Sequence, residues 1–80
     1  DLSKEEKSKY DEIIEDMEKS MKLALPYFQQ AEILNPNYPE TLVALTEIYA
    51  RQNRFDLVIE FKTRLKVIQD GGRNESYFKQ

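Results

Sequence analysis

Two pairs of carboxylates stand one helical turn apart near the start of the chain: Asp11 with Glu15, and Glu12 with Asp16. Such pairs can exchange protons in general acid–base catalysis when a pocket separates their pKa values. The sequence contains no histidine and no cysteine, so the commonest general base and the thiol nucleophile are both missing. On a solvated helix the same pairs are ordinary surface charges. We therefore assign no catalytic residue, and enzymatic activity is the remote alternative.

No motif for a metal or a cofactor accompanies these carboxylates. The acidic stretch lacks the glycine and the alternating oxygen ligands of a calcium loop, and a chain without histidine or cysteine excludes nearly every zinc site. Gly71 and Gly72 are the only glycines and stand side by side, so a glycine-rich phosphate loop is also missing. The sequence therefore predicts neither a bound metal nor a cofactor.

The composition is that of one small domain. The chain has 80 residues, of which 40% are hydrophobic and 34% charged, a globular mixture with room for only a small core. Its net charge of −3 argues against nucleic acid as a partner. No apolar run approaches the roughly 20 residues that span a bilayer, so we expect a soluble protein with no membrane span. The first residue is Asp1, which is typical of a processed form or a fragment, and the cellular compartment stays open.

The apolar pattern predicts a long first helix over residues 4–35. Its apolar residues alternate at intervals of four and three, the heptad rhythm of a helix that packs on another helix. They are Tyr10, Ile14, Met17, Met21, Ala24, Phe28 and Ala31. Ser3 and Glu6 form a capping box that starts the helix near Lys4. Pro26 lies inside the run, and because no turn residues surround it we expect one bent helix rather than two.

Two further helices follow, over residues 39–52 and 55–69. The break between the first helix and the second is predicted at the segment 35–39, which holds two prolines and two asparagines. The second helix has an apolar face of Leu42, Leu45, Ile48 and Tyr49, and the third has Phe55, Val58, Phe61, Leu65 and Ile68. Asn53 suits the left-handed turn between the two helices, and the two glycines end the third helix.

One stretch repeats with a recognisable spacing. Ala24, Phe28, Ala31 and Pro36 are spaced four, three and five residues apart, and a 34-residue shift places apolar Val58 and Leu65 on the two alanines. In residue type and spacing the chain resembles the tetratricopeptide repeat family over residues 24–69, about one and a half repeats. Lys62 and Thr46 depart from the family's aromatic and small residues, and neighbouring Phe61 can fill the place of that aromatic.

The resemblance implies an all-α, right-handed superhelical stack of helices. We expect a single domain over 1–72, with an acidic helical extension at 4–23 and the repeat region at 24–70. Residues 73–80 are predicted to be a flexible C-terminal tail. The exception to this pattern is Tyr77 and Phe78, an apolar pair with no obvious local partner. The alternative is that these two aromatic residues dock in a groove of this chain or of a neighbour.

The resemblance also implies a non-catalytic protein-binding module with a groove lined by the second helix. Its outward residues are Glu40, Val43, Glu47, Ala50 and Arg51. Val43 and Glu47 stand where the family's carboxylate-binding mode would need Lys or Asn, so that mode is not expected. The two glutamates suit a basic or amphipathic peptide or protein segment instead. The alternative interpretation is that all five are solvated surface residues without a binding role.

The alternative function is self-association through the first helix. Two shorter helices cannot cover a helix of this length, so its first half should be left with an open apolar stripe. The stripe consists of Tyr10, Ile13, Ile14, Met17 and Met21. A homodimer, a domain swap or a preceding repeat could cover it. The charge supports attraction between the halves, because residues 1–40 carry 10 acidic and 5 basic side chains whereas residues 41–80 carry 5 and 7.

Overall fold

The computed structural model describes residues 4–79, except for the side chains of residues 5–7. Over this range the protein is all-helical, with three helices: α1 (Lys4–Leu34), α2 (Pro39–Arg51) and α3 (Phe55–Gln69). The predicted fold class is confirmed at this level, and the predicted helix ends agree within one residue. The predicted capping box depends on the side chains of Ser3 and Glu6, which lie outside the described residues.

The helix α1 continues through Pro26 without interruption. A proline inside a helix removes the hydrogen bond to the carbonyl four residues earlier, here that of Lys22. Both residues are exposed, so water can hydrogen-bond to that carbonyl. The prediction of one long helix is therefore confirmed.

The connection between α1 and α2 is a tight turn built from its own side chains. The backbone N–H of Asn37 donates to the Asn35 side-chain oxygen at 3.1 Å, a local bond that ends a helix and turns the chain. Pro39 then takes the first position of α2, where its missing N–H costs nothing. The carbonyl of Tyr38 accepts from the backbone of Thr41 and Leu42, which completes the first turn of α2.

The connection between α2 and α3 depends on Asn53, whose φ of 58° is left-handed. Its backbone N–H donates to the Ala50 carbonyl at 3.1 Å, and the N–H of Arg54 donates to the Tyr49 carbonyl at 2.9 Å. Because only three residues separate the two helices, they run in opposite directions and pack together. Asparagine tolerates this conformation better than other residues with a Cβ atom.

Replacing Asn53 with alanine is expected to lower the free energy of unfolding by about 1 kcal/mol, because alanine disfavours left-handed φ. Asn53→Gly should cost less, since glycine has no such penalty. Urea denaturation followed by circular dichroism measures both. Gln52→Ala is the matched control, since the φ of Gln52 is −87°. Equal losses for the alanine and glycine variants at Asn53 would contradict this explanation.

The core lies where α2 packs against α3, and α1 also contacts α2. Leu42, Leu45 and Phe61 are fully buried. The predicted core face of α2 is confirmed, since its other members are also buried. Leu25 and Phe28 of α1 pack on the same cluster, so the second half of α1 joins the core.

One predicted core residue of α3 is wrong. Phe55 is 60% exposed, whereas Leu57, which the pattern had not selected, is buried. At about 100° per residue, Phe55 lies about 120° around the helix from Phe61, and Leu57 lies only about 40° from it. The first residue of the apolar series 55, 58 and 61 therefore points away from the core.

Residues 74–78 of the segment that is predicted to be a flexible tail pack on the helices. Gly71, with a φ of 87°, turns the chain back after α3. The backbone N–H of Asn74 then donates to the Asn37 side-chain oxygen at 2.6 Å, and the Asn37 side-chain nitrogen donates to the Asn74 carbonyl at 3.1 Å. Phe78 packs against the core cluster. These contacts join residues far apart in sequence, which local patterns do not reveal.

Candidate functional site

The five outward residues predicted on α2 share one exposed face, called here the α2 face. Glu40, Val43, Glu47, Ala50 and Arg51 are all exposed, because the core residues of α2 turn the opposite side of the helix inward. Val43 is 42% exposed. A cavity of about 290 Å³ lies along this face and is lined by Pro39, Glu40, Val43, Ala44 and Glu47. The face thus places a small apolar surface between two carboxylates.

A groove runs beside the α2 face, between α2 and α1. This α1–α2 groove is a cavity of about 330 Å³, and its walls include Met17, Met21, Ala24, Phe28, Ala44 and Ile48. A second cavity of about 400 Å³ continues past Ala31 toward the end of α1. The small side chains of the alanines leave space in which another helix could approach closely.

The predicted self-association residues divide into two groups. Ile14, Met17 and Met21 are partly buried, and the two methionines line the α1–α2 groove. Tyr10 is 56% exposed and Ile13 is 65% exposed. A helix of 31 residues extends about 46 Å, whereas the 13 residues of α2 extend about 20 Å. The molecule is correspondingly elongated, at 50 × 22 × 19 Å, and the first half of α1 extends beyond α2.

A buried carboxylate binds the tail, and the sequence analysis missed it. Glu32 is fully buried. Its oxygens accept a hydrogen bond from the Ser76 hydroxyl and one from the Tyr77 backbone N–H, the latter at 2.6 Å. Burial of a charge is costly unless hydrogen bonds satisfy it. The only local signal is that Glu32 shares a side of α1 with Leu25 and Gln29, at helical spacing.

Aromatic rings complete this attachment. The Phe61 ring stacks on Tyr49 at a centroid distance of 5.9 Å and on Phe78 at 5.6 Å. Tyr77 meets Phe61 edge-on at 5.3 Å, and the Arg64 guanidinium lies 5.1 Å from the Tyr77 ring centroid. The Tyr49 hydroxyl also accepts a hydrogen bond from the Gln29 side chain at 3.1 Å. Phe61 therefore connects α2, α3 and the tail.

The carboxylate pairs that the sequence analysis identified lie on the surface of α1. Asp11, Glu12, Glu15 and Asp16 are all exposed. Among the described residues there is no cluster of three potential metal ligands. At the start of α3, a hydrogen bond from the Arg54 side chain lowers the pKa of Asp56 in an exposed ion pair. Asp56 lies in the first turn of α3, where the helix dipole favours a negative charge. None of the described helices is both long and apolar enough to cross a membrane.

Comparisons with protein-family models, with curated protein sequences and with solved structures find no match to this chain.

Proposed function

We propose that this chain is a non-catalytic protein-binding module of the tetratricopeptide type, and that its α2 face binds a basic, amphipathic segment of a partner. The observation that carries the proposal is the α2 face itself, where Val43 and Ala44 lie between the carboxylates of Glu40 and Glu47. An apolar surface between two anionic groups complements a segment with apolar side chains and flanking lysines or arginines.

The packing of the helices supports the repeat assignment within this proposal. The helix α2 contacts both α1 and α3, the order expected when the second helix of one repeat is followed by a complete repeat. Ala24 and Ala31 are partly buried, as small residues between helices should be. Thr46 replaces the family's small residue at the crossing, and its hydroxyl donates to the Leu42 carbonyl at 2.7 Å. This bond satisfies the extra polar group within α2 itself.

A pair of labelled peptides tests the binding proposal. One is an amphipathic peptide with lysines flanking its apolar residues, and the other carries glutamate at every lysine position. Fluorescence anisotropy should detect binding of the basic peptide only, with an affinity that falls as salt rises. The variant with Glu40→Lys and Glu47→Lys together should bind about tenfold more weakly, because two attractive charges become repulsive.

Glu12→Lys together with Asp16→Lys is the matched control, since the two substitutions make the same charge change at exposed positions away from the α2 face. Its affinity for the basic peptide should stay close to that of the unmodified chain. Circular dichroism confirms that each variant is folded. Equal binding of the acidic and basic peptides, or equal weakening by the control, would contradict the proposed face.

A further inference from the structure

The apolar stripe of α1 is covered on one side only. Leu25 and Gln29 are partly buried and Glu32 is fully buried on the side that faces α2 and the core. On the opposite side, Ile13, Tyr27 and Leu34 are spaced fourteen and seven residues apart, and they are 65%, 73% and 77% exposed. Between the two sides runs the heptad stripe from Tyr10 to Ala31. The stripe therefore continues without a break from the free half of α1 into the α1–α2 groove.

The two halves of this stripe complement each other in size. The groove half offers small side chains, Ala24 and Ala31, on a helix already flanked by α2. The free half offers Tyr10 and Ile14, on a segment that extends beyond α2. A helix side chain that projects needs a space opposite it, and alanine supplies one. The α1–α2 groove thus has room for another helix, and the first half of α1 is a helix that α2 does not cover.

In an antiparallel pair of α1 helices, one register covers both the α1–α2 groove and the free half of α1. When Met17 of one copy lies beside Met21 of a second copy, Ile14 falls beside Ala24 of that copy. Tyr10 then falls beside Phe28, and the exposed Ile13 falls beside the exposed Tyr27. The operation is a two-fold rotation, so each copy gives its free half and receives one in its groove. A parallel pair would join the two free halves and leave both grooves empty.

We propose that the α1–α2 groove binds the first half of α1 from a second copy of this chain, which forms an antiparallel two-fold dimer. Each groove then holds a helix antiparallel to the second half of α1. This inference does not rest on the proposed peptide-binding role, although Glu40, Glu47 and Arg51 of the α2 face also line cavities along this interface. It assigns Tyr10, Ile13, Ile14, Met17 and Met21 to one interface.

Charges near the axis agree with this register. Glu18 of each copy reaches the two-fold axis, where two carboxylates would repel each other. Arg51 lines the same cavity as Glu18 and Met21, so an arginine of each copy stands beside this pair of glutamates. At the other end of the groove, Lys4 of the second copy lies near Glu40 in this register. Glu47 faces Glu15 of the second copy and is the unfavourable contact.

Sedimentation equilibrium across a wide concentration range tests the dimer on the 80-residue chain. We expect reversible dimers, and Ile14→Asp should weaken association at least about 100-fold because the dimer buries this position twice. Leu23→Asp is the matched control, since Leu23 is 81% exposed and lies off the stripe. It should leave association unchanged. A chain that stays monomeric at every concentration, or equal weakening by both variants, would overturn the proposal.

Cross-linking tests the direction of the pair, and the chain has no native cysteine to interfere. With a short bis-maleimide, Ser20→Cys should cross-link to itself, because Ser20 lies near the axis on the open side of the stripe. Ile13→Cys should not cross-link to itself but should cross-link to Tyr27→Cys in a mixture. Efficient self-linking of Ile13→Cys would indicate a parallel pair and overturn the antiparallel register.

Discussion

Phe61→Ala is expected to lower the free energy of unfolding by about 3–5 kcal/mol, the range typical of a buried phenylalanine. Phe61 is fully buried and contacts rings from α2 and from the tail. Truncation leaves a cavity at the junction of three segments and removes two stacked pairs together with an edge-on contact. In a chain of 80 residues, whose core is small, this loss approaches the whole stability of the fold.

The measurement is urea denaturation followed by circular dichroism. Phe55→Ala is a close control, because it removes the same side chain from the same helix at a position that is 60% exposed. Its loss should stay below about 1 kcal/mol. Where Phe61→Ala is too unstable to give a folded baseline, Phe61→Leu should still show a loss of about 1–2 kcal/mol. Equal effects at the two phenylalanines would mean that the core is not built around Phe61.

The contrast between these two phenylalanines shows how far local patterns determine this fold. Helix bounds follow from residues that act on their own neighbours, such as Pro39 at the first turn of α2 and Asn53 with its left-handed φ. Those features were predictable. The pattern of spacing treated Phe55 and Phe61 alike, although a drift of about 120° around α3 separates them. Only the direction of α2 relative to α3 decides which ring is buried.

The role of Glu32 in attaching the tail could not be predicted, for a different physical reason. Glu32 is a charged residue in a helix, and burial of a carboxylate is unfavourable until donors are supplied. The donors, at Ser76 and Tyr77, lie more than forty positions away. A flexible end is the usual expectation for such a segment. The tail packs on the helices because the aromatic residues and the Glu32 carboxylate act together. Neither feature by itself predicts this attachment from the sequence.

The five residues of the α2 face were predictable as exposed, since the helical period fixes which side of α2 faces away from its own core. Their function was not, because exposure does not distinguish a binding surface from a solvated one. The self-association residues pose the same problem in α1. Their significance comes from the shape around them, a groove beside Ala24 and an unpaired half-helix around Tyr10.

Glu32→Gln is expected to lower the free energy of unfolding by about 2–3 kcal/mol, as hydrogen bonds to a charged group contribute about that much. The carboxylate accepts from three donors, the Ser76 hydroxyl and the backbone N–H groups of Tyr77 and Phe78. A glutamine presents one oxygen and one N–H₂ group to the same three donors, so at least one of the bonds is lost and a donor faces a donor. The tail should then detach, and Phe78 should leave the Phe61 ring.

A thermodynamic cycle separates this effect from a general loss of helix stability. Deletion of residues 73–80 should cost about as much as Glu32→Gln, and Glu32→Gln in the shortened chain should cost almost nothing more, because the two changes remove one set of contacts. Hydrogen exchange at the Tyr77 amide should rise in the full-length variant. Glu12→Gln is the control, as Glu12 is exposed on the same helix. If instead the deletion left stability unchanged, or if the two losses simply added, the buried carboxylate would not be what attaches the tail to the helices.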